Sequence, residues 1–147
     1  MNRTSWLALV VAVGTISGCA STTEIVDVPL NATPQNAGHI ARASLSPVGN
    51  QTSIYLTLTG MPSHMAVPSR LDTAIYAGSC QHLSAAPAYQ TDKADNLNYL
   101  SMAPRTRYWA QAPVALNDLT KGEYALLVRT SAADGSRPMF CGKINAG

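Results

Sequence analysis

Residues Gln51 to Thr59 alternate strictly: Ile54, Leu56 and Leu58 fall on one side, Tyr55, Thr57 and Thr59 on the other, and Gly60-Met61-Pro62 closes the run. Side chains of an extended chain point to opposite faces with a period of two, so this pattern is a strand with one face in a core and one toward water. Gly122 to Thr130 repeats the signal, with Tyr124, Leu126 and Val128 on one face, Ala125, Leu127 and Arg129 on the other, and Asp134-Gly135 as a turn beyond it. Further strands are expected at Ile25 to Val28, His39 to Ser46, Ser69 to Tyr76, Thr106 to Ala112 and Pro138 to Ile144, with a shorter piece at Ala115-Leu116. The prolines at 29, 34, 47, 62, 68, 87, 104, 113 and 138 fall at or near the ends of these segments, where a missing backbone donor does least harm. Seven or eight short strands separated by turn signals, with almost no helix, predict an all-β sandwich or Greek-key barrel.

The chain of 147 residues is long enough for one such domain, and 46% hydrophobic with 12% charged side chains excludes a disordered polymer. A formal charge of +2 without a basic run provides no footprint for nucleic acid. Gln81 to Lys93, rich in Ala, Ser and polar residues, is expected to be a long connection, with a helical turn around Asp92 to Leu97.

The N-terminus carries an address. Arg3 precedes the apolar run Trp6-Leu7-Ala8-Leu9-Val10-Val11-Ala12-Val13, which is too short to span a bilayer and has the form of a signal-peptide core. Ile16-Ser17-Gly18-Cys19 resembles the lipobox of bacterial lipoproteins. That resemblance implies removal of residues 1–18 and lipidation of Cys19 (a palmitate-type anchor), then a short tether over residues 19–25 and a single domain over 26–147. The competing reading is a buried N-terminal helix that ends in an incidental cysteine. Several acyl chains anchor a protein stably, where one does so only marginally. Ala20 follows the cysteine in place of the Asp that resembles an inner-membrane retention signal. The implied location is therefore the outer membrane of the cell envelope, with the domain facing the periplasm or the surface.

With Cys19 given to lipid, Cys80 and Cys141 remain in an oxidising compartment, where a disulfide between them is expected and two free buried thiols are the alternative. Closing a loop of about 60 residues contributes about 4 kcal/mol in the chain-entropy treatment.

Tyr76-Ala77-Gly78-Ser79-Cys80 is similar to the segment of copper/zinc superoxide dismutases and their non-enzymatic relatives in which a His-x-His pair precedes Gly-x-Cys. Met139-Phe140-Cys141-Gly142-Lys143-Ile144 resembles their last strand, whose cysteine closes the same disulfide. Leu119 to Val128 resembles their Leu-x-x-Gly-x-Tyr strand, and Gly38 to Pro62 their opening hairpin and Gly-Leu-Pro turn. The likeness covers most of residues 36–144 and implies an immunoglobulin-like Greek-key β-sandwich with one disulfide.

The chain departs from that family at the metal positions. Aligned on Gly78 and Cys80, the histidine pair falls on Ala74 and Tyr76, and the copper histidine after the tyrosine strand falls on Arg129. Copper and zinc need lone-pair donors, which an alanine lacks, and a guanidinium repels the ion. His82, Asp92 and Asp95 are the residues of the zinc-loop equivalent that can coordinate. They carry the alternative reading, a degenerate copper/zinc protein of metal handling or redox defence. His39 and His64 lie in other segments, and Arg137, four residues before Cys141, does not match the family's anion-guiding arginine. Nor does the chain contain a Gly-x-Ser-x-Gly elbow, a phosphate-binding glycine loop or a His-Glu-x-x-His helix. The leading expectation is a lipid-anchored, non-catalytic interaction or structural module without cofactor.

Its candidate binding surface is Arg105-Thr106-Arg107-Tyr108-Trp109, which unites two guanidinium groups with two large aromatics. On a strand Arg105, Arg107 and Trp109 share one face and Thr106 and Tyr108 the other. If exposed, the patch suits an envelope protein, a glycan or anionic lipid headgroups; the competing reading puts Trp109 in the core with Arg107 at its rim.

Overall fold

The computed structural model describes residues 24–60, 70–92, 95–96 and 105–145. The signal segment, Cys19, most of the tether, Met61-Pro62 and His64 lie outside the described residues. Seven strands carry the fold: β1 (Val26–Ala32), β2 (Ile40–Val48), β3 (Gln51–Thr59), β4 (Leu71–Ser79), β8 (Arg105–Ala112), β9 (Tyr124–Thr130) and β10 (Pro138–Ile144). Three two-residue strands, β5 (His82–Leu83), β6 (Tyr89–Gln90) and β7 (Asp95–Asn96), sit in the connection between β4 and β8. All pairings are antiparallel, in the order β5-β4-β9-β10-β1-β2-β3-β8-β7, with β6 also on β4.

This order folds into two layers. Strands β1, β2, β3, β8 and β7 form one sheet, and β10, β9, β4 and β6 form the other. β1 joins them by pairing with β2 over Val26–Leu30 and with β10 at Asn31 and Ala32. The connections from β3 to β4 and from β8 to β9 pass between layers, which gives a Greek-key sandwich, as the strand spacing predicts, immunoglobulin-like and with one disulfide, as the resemblance implies.

The alternation in the sequence sets the faces. Val28, Leu45, Ile54, Leu56, Leu58 and Tyr108 point inward from the first sheet, opposite Leu71, Ile75, Leu126, Val128 and Phe140 of the second, and all are fully buried. An irregularity in the β10–β9 register between Pro138 and Phe140 adds Met139 to the same core.

Three local expectations are corrected. Ala115-Leu116 is not a strand piece: Leu116–Lys121 forms α1, whose Leu116 and Leu119, three apart, both enter the core and whose end is Gly122. No helical turn forms at Asp95 and Asn96, which pair instead with Trp109 and Tyr108 of β8. β9 is buried on both faces over Ala125–Val128, because the residues after Cys80 fold across its outer side.

Gly142 explains how the two layers meet at β1. A Cβ at this position would lie 2.4 Å from the Pro29 carbonyl oxygen and 2.8 Å from side-chain carbons of Val28 and Leu30. The glycine lets β10 approach β1 at the corner between the sheets. Gly142→Ala is expected to reduce stability by about 1–3 kcal/mol, the usual consequence of overpacking, read as a lower urea midpoint at unchanged slope.

Candidate functional site

The Cys80–Cys141 disulfide forms as expected, with the two Cα atoms 5.8 Å apart and a sequence separation of 61. It ties the start of the connection after β4 to β10, across the outer face of the second sheet. Gly78, at φ +98°, makes the turn into β5: a side chain there would meet the His82 carbonyl, so the chain reverses tightly beside the bridge. Around the disulfide Tyr76, Ala125, Leu127 and Cys141 form a second, smaller apolar cluster, flanked by Ala74, Cys80 and Leu83. Farther along the connection, β6 pairs with Ala74 and Ile75 of β4, and Tyr89 packs on Tyr124 with ring centroids 5.8 Å apart. The hydrogen bond between their phenols raises the pKa of Tyr89 above its ordinary value.

Between this connection and the sheet lies a half-open cavity of about 340 Å³, lined by Asp72, Thr73, Ala74, Tyr76, Gln90, Thr91, Asp92, Arg129 and Ser136. Its volume is in the range of small-molecule sites. Arg129 of β9 stands at its centre: Nη2 donates to the Tyr76 hydroxyl at 2.7 Å, and Cζ lies 5.4 Å from the Tyr76 ring centroid. Asp72 is directly opposite Arg129 in the β4–β9 pairing, yet the guanidinium turns to the phenol and forms no ion pair with it. Thr91 closes the roof by hydrogen bonds to the Thr73 hydroxyl and the Thr73 carbonyl. Ser136, at the rim, has φ +49°, alone among the described non-glycine residues in the left-handed region. Such a conformation costs a residue with a Cβ about 1–2 kcal/mol.

The cavity contains the three positions where the resemblance puts metal histidines. Ala74 and Tyr76 of β4 and the distant Arg129 of β9 line it together. The alternative ligand set is not brought together. His82 is exposed on β5 opposite Ser79, whereas Asp92 lies near Thr73, about 20 Å away at roughly 3.3 Å per strand residue. The side chain of Asp95 lies outside the described residues. Among the described residues, no three His, Cys, Asp or Glu side chains are grouped so as to hold a metal ion. His39 is half-buried, and its Nδ1 donates to the Thr59 carbonyl at 3.1 Å.

The Arg/aromatic segment forms β8, and the structure corrects its membership. Tyr108 is fully buried in the core, so it is not part of a surface. Trp109 points outward at 38% exposure with Nε1 donating to Ser53 Oγ at 2.7 Å, and Arg107 is exposed on the same face. Arg105 shares their strand face by register, and its side chain lies outside the described residues. Register adds residues that the segment alone does not reveal: Trp109 stands beside Tyr55, and Arg107 is separated by Thr57 from the exposed Arg42 of β2.

The cavity residues Asp72, Gln90, Thr91 and Ser136 have no motif in the sequence. They meet because strand pairing and the disulfide bring three distant segments together. Comparison with protein-family models, curated proteins and solved structures finds no match.

Replacing both Cys80 and Cys141 by alanine is expected to lower unfolding free energy by about 2–4 kcal/mol, measured by chemical denaturation. The same variant should be cut within residues 81–92 by limited proteolysis under conditions that leave the parent intact.

Proposed function

We propose that the protein is a lipid-anchored, non-catalytic module of the cell envelope, a metal-free relative of superoxide dismutase-like sandwiches. The observation that carries this reading is the hydrogen bond from Arg129 to Tyr76 at the positions where the resemblance puts metal-binding histidines. A guanidinium there opposes a cation, Ala74 offers no donor, and the Tyr76 oxygen already accepts from Arg129. A wall with a guanidinium and no imidazole favours recognition over redox catalysis.

Anchoring rests on the likeness of Ile16-Ser17-Gly18-Cys19 to a lipobox. The start of β1 at Val26 supports a tether of the expected length, whose reach is at most about 3.5 Å per residue, so the domain stays near the outer-membrane surface. Arg42, Tyr55, Arg107 and Trp109 provide a broad outer face for a protein, glycan or lipid-headgroup contact in the envelope.

Protein purified from native membranes without chelator is expected to contain no stoichiometric copper or zinc. Stoichiometric metal that disappears on His82→Ala overturns the metal-free reading in favour of a metal-handling protein. Intact-mass spectrometry of the same material should show a chain that starts at an acylated Cys19, and an unmodified chain starting at Met1 overturns the anchor.

A further inference from the structure

We infer that the cavity between β4, β9 and the 84–92 connection is a binding site for a basic amino acid, free or at the end of a peptide. Its lining is chemically bipolar. Arg129 has five N–H donors and uses one on Tyr76, and among the described residues no carboxylate pairs with it. Asp72 and Asp92 likewise line the cavity without an ion pair or a side-chain hydrogen bond. Two carboxylates against one guanidinium leave the lining one unit negative.

A purely anionic ligand is therefore repelled by the aspartates, and a purely cationic one leaves Arg129 without a partner. An occupant with one carboxylate and two cationic groups neutralises all three. Asp72 and Arg129 are direct cross-strand neighbours, with Cβ atoms about 5 Å apart in such pairs. The guanidinium is turned to Tyr76 and so stands apart from Asp72; the ligand carboxylate forks onto Arg129 and its ammonium binds Asp72. The second cation, on the ligand side chain, turns to Asp92 on the exposed connection. Gln90 and the strained Ser136 supply neutral hydrogen-bonding groups at the rim.

Tyr76 is 5% exposed and belongs to the apolar cluster around the disulfide, so its hydroxyl is a fixed point that holds Arg129 toward the cavity. A guanidinium that served only to neutralise the surface would pair with Asp72 across the strand. Held away from it, Arg129 and Asp72 are both available to a ligand.

This ligand class rests on the reading of the protein as a binding module. Calorimetry with soluble protein reports neither metal nor lipid, so failure of either proposal is seen separately. L-lysine and L-arginine titrated into the intact domain are expected to bind saturably at one per chain, while L-glutamate and cadaverine, which lacks the carboxylate, bind at least roughly tenfold more weakly. Asp92→Asn, on the exposed connection, and Asp72→Asn are expected to weaken L-lysine binding about 10- to 100-fold, the range of one charge-assisted hydrogen bond. Arg129→Gln should remove the preference for L-lysine over cadaverine. Near-ultraviolet circular dichroism identifies the variants that remain folded. Absence of L-lysine and L-arginine binding at millimolar concentration overturns the inference, as does cadaverine binding as tightly as L-lysine or unchanged affinity in folded Asp92→Asn.

Discussion

The shared strand β1 is the constraint on which the sandwich depends. It bonds to β2 through Val26–Leu30 and to β10 at Asn31 and Ala32, so a single strand belongs to both layers. A sheet with one apolar face is stable only when that face is covered, and here one curled sheet covers itself. The two layers can approach at this corner only because residue 142 has no side chain. Leu56 and Leu58 in one layer and Phe140 and Val128 in the other then share a core that neither layer can form alone.

A second constraint acts on the outside. The Cys80–Cys141 bond and the apolar cluster around it bury the outer face of β9, which would otherwise meet water. A long connection pinned at one end by the disulfide and farther along by β6, paired beside β4, borders the cavity. Arg129 and Tyr76 lie where the two constraints meet: strand pairing puts them on neighbouring strands four residues out of register, and the covering cluster holds Tyr76.

The strands were largely legible because alternation is a local property. Ile54, Leu56 and Leu58 had to share a face whatever the remaining chain did, and all three are buried. Trp109 shows the limit. Alternation separates Trp109 from Tyr108 but does not say which side faces the core, and the larger apolar side chain is the one left outside. Leu116 failed for a related reason: a short apolar run has no period of its own, and packing of Leu119 onto the same core selects a helix. In the cavity, Asp72, Thr91 and Ser136 had no pattern to mark them.

The sequence by itself determined the all-β character, the inward faces of the main strands and a cysteine pair suited to a bridge, because each depends on residue type at short spacing. Tertiary structure alone decided that Tyr108 enters the core, that Arg42 and Tyr55 join Arg107 and Trp109 on one outer face, and that Arg129 meets Tyr76 beside an unpaired Asp72. These are relations between residues up to 67 positions apart. Their register is set by closure of the sheet and by the disulfide, long-range constraints that no local window of the chain contains.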